Sequence, residues 1–402
     1  MKKESLFSFI PFLSRVFFLF IQNLMRNHNE NVEVYIRPEN NKYEAFERPK
    51  NDLLLKVIEN KDGEKAGVDK IPFWLMRQAG RYLPEYRQMR KKYEFFEICQ
   101  NPELSSEVTI MPLKRFGCDM VVIFSDILII FVAMGIQVKF IEKVGPTFDK
   151  NITTFEDFNK LNLSIEEIIN NLHYVYDSIN LTKKKINNSV PLLGFVGSPF
   201  TLFTYVTKNN KKTYEDSLKI MYENPKDAHK IINKLSDICI SHLINQIDSG
   251  ANVIQIFDSN ADIVDVHTFS EFSLQYLKKV TNTIKKYKPQ TYIILFLKDN
   301  FHPDVKYLNV DVFSITHKQL ANYSSQFYDN LFDNKIILQG ALDPHILLLN
   351  NERLVSKYTS RMINQISQKN KFIANLGHGI LPNSRIENVH AFIDAVRKYK
   401  LD

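Results

Sequence analysis

Cysteine is scarce in this chain and never paired in spacing: Cys99, Cys118 and Cys239 are the only three in 402 residues. That excludes a disulfide ladder and a zinc framework, and favours a reduced compartment. No glycine-rich dinucleotide loop follows the first apolar run. No serine sits on a nucleophile elbow, and no cysteine stands at a strand end with a histidine partner. The basic excess is not massed either. The net charge of +7 comes from lysines scattered among asparagines rather than set on one stripe, which argues against a nucleic-acid partner. Finally, no run makes a clean membrane span. Leu6 to Phe20 is broken by Ser8, Pro11, Ser14 and Arg15, and Val121 to Ile136 contains Asp126 and Gly135.

The first fifty residues differ from the rest. Lys2 and Lys3 precede the Leu6 to Phe20 run, which has the length of a signal-peptide core, although no small-x-small cleavage site follows. Asn23 to Lys50 is polar and without periodicity, and is expected to be poorly ordered. Together they resemble the two-part address that carries proteins through the secretory route into a secondary plastid. The alternative is a cytoplasmic protein with a disordered overhang and one amphipathic anchor helix. Residues 1–50 are therefore expected to be an extension, residues 51–402 the folded domain, and the mature protein to hold no stable membrane span.

From Ile71 the pattern becomes regular. Eight short apolar runs recur: Ile71 to Leu75, Met120 to Phe124, Pro191 to Val196, Val253 to Phe257, Tyr292 to Leu297, Val310 to Ile315, Lys335 to Gln339 and Phe372 to Leu376. Continuous apolar runs suit strands buried on both faces, as in a parallel sheet. Segments of helical spacing separate them, notably Pro225 to Asp248, Leu342 to Gln368 and Arg385 to Tyr399. Eight strand–helix repeats predict an α/β fold, a single (β/α)8 TIM barrel, with an open doubly wound sheet as the alternative. The weak places are the long gap from Phe131 to Val190 and the short crossover from Asp299 to Tyr307.

A barrel of this kind carries its active site at the C-terminal ends of its strands. Those ends are polar or glycine-rich almost throughout: Arg77 and Arg81, Ser125-Asp126, Gly197-Ser198-Pro199, Asp258-Ser259-Asn260, Lys298-Asp299, Gly340, and Gly377-His378-Gly379. The first, WLMRQAGRYLPEYR from Trp74 to Arg87, reads as strand, tight basic loop and helix, with Gly80 easing the bend and Pro84 opening the helix. Guanidinium forks there can grip carboxylate or phosphate. Asp126 either caps the helix after it or faces the cavity. Tyr205 is a hydroxyl donor or helix packing, and Ser259 an anion contact or a cap. His378 lies between glycines that admit a ligand, with a loop cap as the rival explanation. Cys118 lies at the entry of its strand and Cys99 and Cys239 on helices, so no metal site is expected. The set suits a polyanionic organic substrate and charge placement rather than a cofactor.

MRQAGRYLPEYR at Met76 to Arg87 closely resembles the signature of the uroporphyrinogen decarboxylase family. FSDIL at Phe124 to Leu128, GFVGSPFTLFTY at Gly194 to Tyr205, IQIFDS at Ile254 to Ser259, LQGALDP at Leu338 to Pro344 and NLGHGI at Asn375 to Ile380 follow in the family's order. The similarity runs from about Leu53 to the C-terminus, and six ordered motifs make it highly specific. The resemblance implies a (β/α)8 barrel working as a homodimer. The implied reaction removes the four acetate arms of uroporphyrinogen III as carbon dioxide, giving coproporphyrinogen III in haem biosynthesis without metal or organic cofactor. Arg77, Arg81 and Arg90 would meet substrate carboxylates, with main-chain groups of Gln78, Ala79 and Gly80 in the same loop. Asp126 would accept hydrogen bonds from the pyrrole N–H groups, while Tyr205, Ser259 and His378 would contact the side arms.

The chemistry fits those residues. Decarboxylation leaves an electron pair that needs a sink, and a pyrrole protonated at a ring carbon is one. Asp126 would stabilise that cation, and Arg77, or a water it orients, would supply the proton. The chain departs from the family's usual pattern at Phe131, Phe200, Asn260-Ala261-Asp262 and Phe313-Ser314-Ile315. The other readings are a corrinoid-type methyltransferase, which would need a zinc set at the strand ends, and an inactive porphyrinogen-binding barrel.

Overall fold

The computed structural model describes residues 32–62, 68–141, 145–300 and 302–401. The signal-like run of Leu6 to Phe20 lies outside them. Nine strands occur among the described residues: β1 (Val121–Val122), β2 (Val138–Ile141), β3 (Gly145–Phe148), β4 (Leu192–Gly197), β5 (Val253–Asp258), β6 (Tyr292–Leu297), β7 (Val312–Ser314), β8 (Ile337–Leu342) and β9 (Phe372–Leu376). Seven form one parallel sheet in the order β1-β4-β5-β6-β7-β8-β9. Each strand of this sheet lies beside the one that follows it within the sheet, joined by parallel crossovers that are helical except for the five-residue 3-10 turn Pro303–Tyr307 between β6 and β7 and the β2–β3 hairpin inserted between β1 and β4, as in a TIM-barrel-like α/β fold. The helix Pro225–Asp248 falls where its apolar stripe predicts, with Ile231, Ile232, Leu235 and Ile238 fully buried between β4 and β5 in the sequence.

Four expectations are altered. Ile71 to Leu75 does not form a strand; it makes one parallel bridge, Phe73 to Ala374. Pro72 has no N–H to give a ladder, and three of the four donors that follow are taken by side chains: Phe73 N–H by Asp119 Oδ2 at 2.8 Å, Leu75 N–H by Gln78 Oε1 at 3.1 Å and Met76 N–H by Asn375 Oδ1 at 2.8 Å. The segment still bonds on both sides. Trp74 N–H reaches Ala374 O of β9 at 3.3 Å, and Asp119 N–H reaches Phe73 O at 3.0 Å just ahead of β1.

The expected helix from Leu342 to Gln368 is split. A 3-10 turn at Pro344–Leu348 precedes the helix Glu352–Asn364, and the carbonyls of Leu347 and Leu349 turn to Asn388 Nδ2 instead of continuing a helical ladder. The gap from Phe131 to Val190 contains the antiparallel pair β2 and β3 and three helices.

The polar stretch ending at Lys50 is ordered where it is described. From Val34 it belongs to the same compact unit as the sheet. Its polarity serves as hydrogen bonding: Tyr35 N–H binds Ser241 Oγ at 3.1 Å, and Arg37 N–H and Asn40 Nδ2 both bind Asn245 Oδ1, at 2.9 and 2.7 Å.

The inward side chains of the sheet, among them Leu193, Val253, Ile294, Val312, Ile337 and Ile373, share one core with Leu54, Leu55, Val57 and Ile58 of the helix Leu53–Glu59. That helix sits at the N-terminal ends of the strands. Glu59 accepts the Tyr292 hydroxyl at 2.6 Å where β6 begins, and Lys61 pairs with Asp311 at 2.6 Å just before β7. It plugs that mouth and leaves the opposite end open. No helix among the described residues is long and apolar enough to cross a membrane. Leu54 has no exposed surface, so Leu54→Ala should destabilise the protein by about 2–5 kcal/mol. Urea unfolding checks this, with a lowered midpoint and an unchanged slope expected.

Candidate active site

A cavity of about 570 Å³ opens at the C-terminal ends of the strands. Its size is that of a pocket for an organic ligand. The loop from Arg77 to Arg81 forms one side, Asp126 and its neighbours another, and Ser259 and His378 complete the polar lining.

Asp126 lines the cavity and does not cap the helix Ile129–Ala133, whose N-cap is Leu128 with no side-chain cap. Oδ1 accepts the Leu128 N–H at 2.8 Å, closing the turn after β1, while Oδ2 has no partner among the described residues. Enclosure by protein raises its pKa above the usual aspartate value; the Leu128 N–H and the charge of Arg77 offset part of that rise.

Arg77 takes the left-handed backbone conformation, φ 61°, and its side chain is exposed to the cavity. The bend is therefore carried by Arg77 and not, as expected, by Gly80, which lies outside the left-handed region. Gln78 anchors the loop: it is 2% exposed, its Nε2 donates to Met120 O at 3.1 Å, and its carbonyl accepts the Tyr82 hydroxyl at 2.7 Å. Arg81 is exposed at the cavity and has no ion-pair partner among the described residues. Arg90 also lines it, held by Tyr93 O at 2.9 Å and Glu94 at 3.4 Å. Arg87 is turned to structure, its guanidinium bonding the carbonyls of Arg81 and Tyr82 at 2.9 and 2.8 Å.

His378 lies 6.3 Å from Phe296, ring to ring. Burial, then the positive charges of Arg77 and Lys298, push its pKa down to about 4. The imidazole is thus neutral at neutral pH, with one donor and one acceptor nitrogen. Its flanking glycines leave room for neighbouring groups, and Gly379 also lines the cavity. A Cβ at Gly377 would strike His317, and one at Gly379 would strike Arg77.

Tyr205 is not in the cavity wall. It lies behind it, its ring 6.1 Å from that of Tyr214, and burial raises its pKa while the charges of Arg77 and Asp126 still act on it. Asp258 is fully buried and structural, accepting the hydroxyls of Thr201 at 2.8 Å and Ser273 at 2.5 Å.

The departures from the family's motifs fall outside the cavity wall. Phe131 and Phe200 are fully buried, Asn260 Nδ2 donates to Thr204 Oγ1 at 2.8 Å, Asp262 pairs with Lys298 at 3.0 Å, and Ser314 Oγ accepts from Gln339 Nε2 at 3.0 Å.

What the sequence reading missed is the aromatic wall. Phe195, Phe257 and Phe296 come from β4, β5 and β6, with neighbouring ring centroids 5.7 and 5.9 Å apart, and line the cavity beside His378. Phe95 and Phe124 line it opposite, and Phe140 joins them from β2, its ring 5.4 Å from that of Phe95. A phenylalanine shortly before the end of three successive strands was the available signal. Among the described residues no group of three or more His, Cys, Asp or Glu could hold a metal ion.

The uroporphyrinogen decarboxylase (URO-D) family model matches residues 49–399. A uroporphyrinogen decarboxylase of Chloroherpeton thalassium is 36% identical over 355 residues, covering 87% of this chain and 97% of that one. One from Dictyostelium discoideum is 35% identical over 352 residues, covering 87% and 94%. Among solved structures, a methyltransferase from Methanosarcina mazei aligns with a TM-score of 0.69 over 87% of this chain and 98% of its own, at 17% identity, a likeness of fold alone. The chain belongs to the uroporphyrinogen decarboxylase family.

The lowered pKa of His378 can be followed directly. In the substrate-free protein its ring signals should titrate near pH 4 by NMR, and stay unchanged from pH 6 to 8.

Proposed function

We propose that this chain removes the four acetate arms of uroporphyrinogen III as carbon dioxide, giving coproporphyrinogen III in porphyrin biosynthesis. One observation carries the mechanism: a carboxylate, Asp126, enclosed at an aromatic-walled cavity that also holds the exposed guanidiniums of Arg77 and Arg81. The flat apolar rings suit a macrocycle, and the arginines suit its carboxylates. Each charge-assisted hydrogen bond from a guanidinium contributes about 1.5–3 kcal/mol.

In each cycle a proton adds to a pyrrole ring carbon. The carboxylate carbon–carbon bond then breaks, its electron pair moves into the ring, and carbon dioxide leaves. A proton taken up at the exocyclic carbon and one lost from the ring complete the step, so one acetate and one proton become one methyl group and one carbon dioxide. The pyrrole is its own electron sink, and the proposal calls on no cofactor. Asp126 accepts the pyrrole N–H groups and stabilises the cation, a charge present only along the reaction path. A guanidinium, with a pKa above about 12, is a weak acid, so Arg77 acts most simply through a water that it orients. Arg90, Ser259 and His378 contact the side arms, and Tyr205 supports them from behind the wall.

Ile71 to Met76 closes the barrel as its eighth stave, a reading supported by its bonds on both sides. The N-terminal address delivers the protein to a plastid. A fluorescent reporter fused to Met1 to Asp69 should mark a plastid, and a diffuse cytosolic signal would remove the idea.

Asp126→Asn keeps the shape and loses the charge. It should retain substrate binding and lower kcat on the order of 10²–10³-fold in anaerobic turnover of uroporphyrinogen. Because the Asp126 pKa is raised and the anion is the working form, kcat/KM of the unaltered enzyme should fall on acidification at a higher pH than an ordinary aspartate would give. Near-normal turnover by the variant would refute the electrostatic role.

A further inference from the structure

The two glycines around His378 are not equivalent. A Cβ built on Gly379 would overlap Arg77 Cδ and stand 2.8 Å from its Nε and 2.9 Å from its Cγ; its three nearest neighbours all belong to that one side chain. The backbones on either side are held. Met76 N–H is bound by Asn375 Oδ1 at 2.8 Å, and Met76 O accepts the Ile380 N–H at 2.8 Å. Directly after Met76 the chain turns into the left-handed conformation at Arg77, φ 61°, a region that side-chain-bearing residues seldom occupy. The left-handed turn sends the Arg77 side chain across Gly379, and the bonds at the neighbouring residues Met76 and Ile380 hold the two backbones in register.

We infer that Gly379 is a positioning residue for Arg77: the missing side chain at Gly379 is the track along which the arginine stem reaches the cavity. This rests on the role given to Arg77 above. Gly379 itself need not touch the substrate. Any Cβ there forces the arginine stem off its path while leaving the charge in the protein, and misplacement on the order of 1 Å at a catalytic group can cost about a hundredfold in rate.

A double-mutant cycle tests the inference. Arg77→Gly removes the colliding stem and accepts the positive φ. Gly379→Ala alone should lower kcat/KM on the order of a hundredfold, and should lower it no further in the Arg77→Gly background. The melting temperature runs the same cycle without reference to turnover: Gly379→Ala should lower it in the otherwise unaltered protein and leave it unchanged once the Arg77 stem is gone. If Gly379→Ala alone fails to fold, recovery of a folded protein in the double variant gives the same positive answer. The inference is overturned if the single variant keeps full activity and melting temperature, or if its losses recur at full size in the Arg77→Gly background. Should Arg77→Gly itself turn over substrate normally, the role given to Arg77 fails, and the melting cycle still decides the steric claim.

Discussion

Both backbone polar groups of Met76 are taken by β9 and the segment that follows it, and the architecture of the open end depends on that clamp. Asn375 supplies the acceptor and Ile380 the donor, while Pro72, Trp74 and Ala374 extend the contact toward the other end of the strand. A parallel sheet whose two outer strands were left bare would present unpaired N–H and C=O groups to solvent or to other chains. The clamp also fixes where Met76 ends, and therefore where Arg77 begins its turn. The same few bonds thus serve the sheet and place the first functional residue.

Burial acts on the cavity in two opposite directions with one effect. It raises the carboxyl of Asp126 and lowers the imidazole of His378, because in each case the charged form loses water. With phenylalanines on both sides, the site spends little charge of its own in its interior. Permanent positive charge is kept on Arg77 and Arg81, at exposed positions where solvation makes it inexpensive to hold. A substrate that brings many carboxylates and a core able to become cationic complements this division.

Much of the frame was legible in the sequence. Seven of the eight apolar runs are strands of the main sheet because continuous burial leaves an unbroken apolar signature, although Met120 to Phe124 shrinks to two residues, Val310 to Ile315 shrinks to three and Lys335 to Gln339 shifts to Ile337–Leu342. The first run was misread for a local reason: side-chain amides and Pro72 intercept the bonds a strand would make. The left-handed Arg77 could not be seen, because residue type pointed to the nearby glycine. Of the polar candidates, Arg77, Arg81, Arg90, Asp126, Ser259 and His378 do meet at one cavity, whereas Tyr205 stands behind it. The aromatic wall had one signal, the phenylalanine near the end of β4, β5 and β6, but a phenylalanine in an apolar strand reads equally as core. Phe140 was hidden more deeply, on a strand whose exposed residues show no alternation. The stretch from Val34 to Lys50 was misjudged because polarity reads as disorder when its partners, Ser241 and Asn245, lie two hundred residues away.

The bridge between Phe73 and Ala374 joins residues about three hundred positions apart. During synthesis at roughly 5–20 residues per second, the arginine loop would wait on the order of 15 to 60 seconds for the segment that holds it. Contacts of such long range form late, after the intervening chain has paid its loop entropy. A nascent chain would therefore carry the other six strands of the main sheet with that seam unmade, and competence to bind substrate would come with the last strand rather than accumulate along the way. Quality control by chaperones has a natural target in that seam, and substitutions near the C-terminus could delay maturation of an arginine at the other end of the chain.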